Sequence, residues 1–173
     1  MSICPKAIVT SKPGKEHWAL EELWDTLYEI DDTVNIKETR YRGVFLVFTE
    51  KTSVYDLAGA FTRKFHAFIR SVVPVVICLR KPDLDVLINS IDTLLNLKSI
   101  GGPLRVIFRI RGSLKKYVKP EVVERVLRRK GIGLHDGSAE ALVIEAVDDI
   151  VILAVGSIGS CGDSCIIIIP YKL

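Results

Sequence analysis

The sequence predicts a chain of mixed α+β and α/β class in two domains. A β-α-β-β-α-β unit occupies residues 1–80 and an α/β unit residues 81–173. Three observations predict this. Strand-length apolar runs alternate with segments of helical period along the whole chain. Hydrophobic residues make up 49% of the 173, enough for a core in each half. A short charged stretch with a central proline, Arg80-Lys81-Pro82-Asp83, reads as the linker between them.

The first strand is Lys6–Thr10, closed by the turn cluster Ser11-Lys12-Pro13-Gly14. Lys15–Ile30 has helical periodicity, with Leu20, Leu23, Trp24, Leu27 and Tyr28 on one stripe and Glu21, Glu22, Asp25 and Glu29 opposite. Val34–Glu38 and Gly43–Thr49 are β-rich and joined by the polar stretch Thr39–Arg42. Ser53 suits the N-cap of a helix running to about Lys64, and Val72–Leu79 makes a final strand. The order β-α-β-β-α-β is that of the ferredoxin-like arrangement, a four-stranded antiparallel sheet backed by two helices.

In the second half Leu84–Leu97 reads as a helix, Gly101-Gly102-Pro103 breaks the chain, and Leu104–Arg111 is a strand. The helix Pro120–Lys130 has well-marked ends. Pro120 suits the first helical position, Glu121 and Glu124 complement the positive end of the dipole, and Gly131 can terminate the helix in the left-handed conformation. Three strands follow, Ala141–Val147, Ile150–Gly156 and Cys165–Pro170. Asp148-Asp149 turns between the first two, and Gly156–Gly162 reads as a flexible hairpin connection.

Charge is distributed unevenly. The net charge is only +3, but residues 101–130 hold ten Lys and Arg against two acids, while the remainder holds fourteen basic and nineteen acidic residues. Such an asymmetry marks an electrostatic footprint for a polyanion. In the strand, Arg105, Arg109 and Arg111 share one face, because side chains alternate across a sheet. Three like charges spaced by multiples of about 7 Å are costly neighbours unless an anion lies across them or acids elsewhere, such as Glu140 or Glu145, pair with them. The next loop adds Lys115, Lys116 and Lys119, with Tyr117 as a candidate stacking residue, and the helix adds Arg125, Arg128 and Arg129. Arg128, Arg129 and Lys130 also sit where any helix end favours cations. Convergence of strand, loop and helix on one sign points to phosphate contacts, which Arg makes bidentately. Lys12, Lys15, Arg40 and Arg42 extend this candidate surface from the first half.

Other function classes find little support. No run approaches the roughly 18 apolar residues of a membrane span, and the amino terminus has no signal-peptide pattern, so the expectation is a cytoplasmic protein. His17, His66 and His135 stand apart from any nucleophile motif. Gly156–Gly162 lacks the Gly-Lys-Ser/Thr ending of a phosphate-binding loop, and no cofactor or metal fingerprint is present. The expectation is binding without catalysis. Cys4, Cys78, Cys161 and Cys165 match no zinc pattern, and the Cys161–Cys165 pair reads either as free thiols or as a local disulfide. The absence of Gln, with one Met and three Asn, is a thermophile trend, and such organisms tolerate intracellular disulfides.

Particular residues carry a family resemblance. Ala7-Ile8-Val9-Thr10 followed by Gly14-Lys15-Glu16, Thr39–Val44 and Ile69–Val75 resemble the ferredoxin-like domain that precedes THUMP domains. Phe108-Arg109-Ile110-Arg111-Gly112, then Gly131-Ile132-Gly133 and two strands, is similar to the THUMP domain itself. The resemblance implies tRNA as partner, held at its acceptor end and 3′ CCA, with Arg109, Arg111, Lys115 and Lys116 on the family's basic strand and loop. With no catalytic domain in this sequence, it further implies an adaptor presenting tRNA to an RNA cytidine acetyltransferase in trans for N4-acetylcytidine formation. Leu134–Glu140 departs from the family's Asp-Leu and Pro-Asp stretch. Two other readings are an RNA-binding part of another tRNA-modifying or processing enzyme, and a ligand-binding ferredoxin-like regulatory module.

Overall fold

The computed structural model describes residues 4–97, 100 and 102–172. It is a mixed α+β chain with nine strands and four helices among the described residues. Gly101 of the expected chain break lies outside them. The chain divides into two compact units, residues 1–75 with 158–170, and residues 76–157 with 171–173.

The first unit begins β1 (Ala7–Ser11), α1 (Glu16–Tyr28), β2 (Asn35–Glu38), β3 (Val44–Phe48), α2 (Val54–Arg63) and β4 (Ile69–Pro74). Strand order is β2-β3-β1-β4, every neighbouring pair antiparallel. Leu23, Leu27, Leu57 and Phe61 of the helices pack with Val9, Phe45, Val47 and Val72 of the strands. Ser53 caps α2 as its sequence predicts, its hydroxyl accepting from the Asp56 N–H at 3.1 Å.

The second unit holds β5 (Ile77–Arg80), α3 (Leu84–Asn96), β6 (Arg105–Arg111), α4 (Pro120–Arg129), β7 (Glu140–Val147) and the first part of β8 (Ile150–Gly162). β6 pairs in parallel with β7, β7 antiparallel with β8, and β5 antiparallel with β8. Helices α3 and α4 cover the face carrying Ile110, Leu142, Ile144, Val151 and Leu153. Asp83, read as linker, is the N-cap of α3, accepting from the Val86 N–H at 2.8 Å.

Four expectations need correction. The run Val72–Leu79 is two strands, because Pro74 donates no hydrogen bond and β4 stops there. The units divide after Val75 rather than after Arg80. The first unit also takes back the end of β8 and β9 (Cys165–Pro170), whose Ile-rich run adds a parallel strand beside β4. Gly156–Gly162 is no flexible connection but a continuation of β8 to a tight turn at Asp163-Ser164, where Ser164 takes φ 48°. Gly162 permits this turn: its φ is +147°, and a Cβ there would run into the His66 backbone.

Cys161 and Cys165 form a disulfide across that turn, Cα atoms 5.0 Å apart, and no cysteine among the described residues is free. The buried His66 locks the same corner. Its backbone N–H and Nδ1 both approach the Cys161 carbonyl, at 2.9 and 2.7 Å, and Nε2 lies 2.8 Å from Thr26 Oγ1. The Nδ1–H therefore donates to the Cys161 carbonyl, since a carbonyl oxygen can only accept.

Asp31 ties the α1–β2 connection to the β3–α2 connection. It accepts from the Thr33 N–H (2.7 Å) and hydroxyl (2.5 Å), and from the Thr52 N–H (3.0 Å) and hydroxyl (2.9 Å). Burial alone would raise its pKa, but the hydrogen bonds from Thr33, Thr52 and Thr49 outweigh it and hold the carboxyl well below the usual carboxylate range.

Candidate nucleic-acid interface

The basic segment begins on β6, which ends its row of strands and, among the described residues, pairs along its length only with β7. Arginines on such an edge discourage further strand pairing. Arg105, Arg109 and Arg111 do share a face, opposite Ala141, Glu145 and Val147 in register. The counter-anion here is internal. Glu145 is fully buried, with Oε1 2.6 Å from Arg111 Nη1 and Oε2 4.0 Å from Arg109 Nη1. Glu145 Oε2 has no hydrogen-bond partner among the described residues. All three arginines are half-buried, and Arg105 has no ion pair among the described residues.

Beyond the strand the cations turn outward for a simple reason. Gly112, at φ 115°, opens a 3₁₀ turn over Ser113–Lys116. Leu114 and Val118 of this stretch insert into the core, the Val118 N–H bonding the Leu114 carbonyl at 2.9 Å. Lys115, Lys116 and Lys119 are left exposed between and beside these anchors. Tyr117 is less available for stacking than a bare loop tyrosine, because its hydroxyl donates to the Pro82 carbonyl at 2.9 Å.

Helix α4 extends the same character. Val123, Val126 and Leu127 are buried on one side, which leaves Arg125, Arg128 and Arg129 exposed on the other. The Ile132 N–H bonds the Leu127 carbonyl at 3.0 Å and Gly131 sits at φ 68°, the expected helix stop. Lys130 is not part of this surface, since its ammonium reaches Asp92 (2.9 Å) and Asn96 (2.5 Å) of α3. Among the described residues Lys115, Lys116, Lys119, Arg125, Arg128 and Arg129 make no ion pair.

The first-unit candidates do not gather into a comparable surface. The Lys12 ammonium is structural, donating to the carbonyls of Ala67 (2.6 Å) and Asp163 (2.5 Å). Lys15 is exposed beside α1. The Arg40 guanidinium lies 5.1 Å over the Tyr41 ring and donates to its hydroxyl. Arg42 pairs with Glu16 at 2.8 Å beside a groove of about 460 Å³ that Glu38 also lines, so its charge is mixed.

Helix α1 departs from its expected stripe. Trp24 and Tyr28, placed on the apolar stripe, are exposed; the buried positions are Ala19, Leu23, Thr26 and Leu27. The apolar arc is too wide for periodicity alone to choose which part faces the sheet. The small residues Ala19 and Thr26 take the inner side, where the Thr26 hydroxyl meets His66 Nε2.

No protein-family model matches the sequence, and no curated protein matches it. Solved structures do match in fold. PH1313 from Pyrococcus horikoshii Ot3 aligns with a TM-score of 0.58 at 18% identity, over 86% of this chain and 53% of that one. A 4-thiouridine synthetase in complex with RNA and bound ATP aligns at 0.53 and 14%, over 87% and 41%. TrmN from Thermus thermophilus aligns at 0.52 and 17%, over 86% and 44%. The chain thus spans about half the length of these proteins or less. At such identities the likeness is one of fold: this α+β architecture is shared with portions of all three.

Proposed function

We propose that the chain is a tRNA-binding adaptor that grips the acceptor stem and 3′ CCA end and presents tRNA to an RNA cytidine acetyltransferase acting in trans. The observation that carries the reading is the set of six exposed cations without ion pairs among the described residues: Lys115, Lys116, Lys119, Arg125, Arg128 and Arg129. Their charges lie on one contiguous turn and helix and are held outward by buried Leu114, Val118, Val123 and Leu127. Phosphate contacts through such a surface supply affinity by counterion release.

The fold supports the choice of partner. The order β2-β3-β1-β4 with α1 and α2 fits a ferredoxin-like module extended by β9, and the second unit fits a THUMP-like domain. One structure of similar fold is a 4-thiouridine synthetase bound to RNA. In this reading Arg109 and Arg111, tied to Glu145, shape the edge on which RNA lies rather than supply most of the charge. The chain itself performs no chemistry.

The test is N4-acetylcytidine formation on tRNA by the purified acetyltransferase, with and without this chain, using intact tRNA and tRNA trimmed of its CCA. The chain should raise acetylation of intact tRNA, and trimming should weaken its tRNA binding roughly tenfold, the scale of one lost stacked base. Acetylation indifferent to the chain refutes the adaptor role. Equal affinity for trimmed tRNA refutes the grip on the CCA end.

A further inference from the structure

The outer face of α1 is the most unusual surface of the first unit. Both tryptophans of the chain lie on this one helix and are exposed, Trp18 at 51% and Trp24 at 36%. Tyr28 follows Trp24 by one turn at 65%. Two further aromatics come from the connection between α2 and β4. Phe68 is in ring contact with Trp18, centroids 6.0 Å apart. Phe65, 73% exposed, follows Lys64, whose ammonium reaches the Asp25 carbonyl and the Glu29 carboxylate at the end of the helix. Singly exposed apolar residues need no explanation, but a cluster of large aromatics on one helix does.

Acids outnumber cations on this face, where Lys64 pairs with Glu29. Helix α1 contains neither Lys nor Arg, and of its four acids Glu16 pairs with Arg42 and Glu22 accepts from the Ala67, Phe68 and Ile69 N–H groups, which leaves Glu21 and Asp25 for this face. Glu21, Asp25 and Glu29 follow at i, i+4 and i+8 between the aromatic flanks, a spacing that destabilises a helix through like-charge repulsion. Asp25 and Glu29 also stand at the end where the helix dipole favours cations. Glu21 is met by His17 at 3.2 Å and Glu29 by Lys64 at 2.7 Å, while Asp25 has no ion pair among the described residues. Repulsion of phosphate makes this a poor surface for RNA. A protein segment presenting Arg or Lys beside apolar side chains fits it on both counts, since its cations would pair with Asp25 and lie over Trp24 and Tyr28.

We propose that the exposed α1 face, centred on Trp24, Asp25 and Tyr28 and flanked by Trp18 and Phe65, docks a basic, apolar-bearing segment of the catalytic protein to which the chain delivers RNA. This rests on the adaptor reading above and adds a division of labour. Cations of the second unit hold the polyanion, and the acidic aromatic helix of the first unit holds the enzyme. Aromatic residues at the centre of an interface contribute most of its affinity, so Trp24 and Tyr28 are the anchors.

The experiment is calorimetric titration of the full chain into the purified RNA cytidine acetyltransferase, with tRNA affinity measured in parallel for every variant. Trp24→Ala with Tyr28→Ala should weaken enzyme binding roughly thirtyfold and Asp25→Arg roughly tenfold, with tRNA affinity within twofold of wild type. Asp25→Arg alters one exposed side chain, so it keeps the test decisive if the aromatic double variant misfolds by circular dichroism. Enzyme binding unchanged in the folded variants overturns the docking face and leaves the adaptor reading standing. Failure of the wild-type chain to bind the enzyme overturns both. Loss of tRNA affinity in the α1 variants assigns the face to RNA and overturns the proposal.

Discussion

Replacing Arg111 with Ala tests whether the strand arginines are structural or belong to the proposed RNA surface. Arg111 Nη1 is 2.6 Å from Oε1 of a carboxylate with no exposure, while the other oxygen, Oε2, has only Arg109 Nη1 at 4.0 Å. Removing Arg111 leaves Glu145 as a buried charge with one distant partner. Breaking a buried pair from one side costs about 3–5 kcal/mol, and the partial exposure of Arg111 places this case near the lower value, about 3 kcal/mol. For a chain of this size that lowers Tm by roughly 6–12 °C. Arg111→Ala with Glu145→Leu should recover most of the loss, because the fully buried carboxylate is removed together with its close partner. Urea unfolding of wild type, both single variants and the double variant gives the coupling directly. A loss below about 1 kcal/mol for Arg111→Ala, or no recovery in the double variant, would refute the internal-anion account and return Arg111 to the RNA-binding set.

Three further outcomes follow from the same geometry. Asp31→Asn should cost about 3 kcal/mol by placing an amide where hydroxyl and N–H donors converge. Because the folded carboxyl titrates below its unfolded value near 4, wild-type stability from this group is complete above that pH and is lost as pH falls further. The gap between wild type and variant should therefore be constant above about pH 5 and narrow below about pH 4; a gap independent of pH down to about 2 contradicts the assignment. Gly162→Ala should destabilise by about 3 kcal/mol, since its Cβ would overlap the His66 backbone, and a thermal melt unchanged from wild type would contradict that packing. Ser53→Ala should cost about 1 kcal/mol through the lost α2 cap, readable in the same urea experiment.

Element order was legible in the sequence because the punctuation is local. Ser53 before α2, and Pro120 with Gly131 around α4, act within a turn of their own position. What escaped the reading depends on distant chain. The return of 158–170 to the first unit requires β4 to offer a free edge, which no feature near Cys165 announces. Glu145 was visible as one acid that could meet the strand arginines, but only the parallel β6–β7 register sets Arg109 opposite it. Lys12 looked like a surface cation until the 66–68 loop and the Asp163 turn closed around its ammonium. The outward cations of the 3₁₀ turn and α4 were the most readable part of the site, since apolar Leu114, Val118, Val123 and Leu127 alternate with them at short range.

In the proposed function the outward cations of the second unit hold a polyanion. The most direct test is tRNA affinity against salt for wild type and for a variant with Lys115, Lys116, Arg125 and Arg128 all replaced by Ala. If all six exposed cations engage phosphates, log affinity should fall with log salt at a slope of roughly −4 to −5. The fourfold variant should lose roughly 3 of those units while unfolding at the same urea concentration. A flat wild-type slope, or a variant slope equal to wild type, would contradict the account.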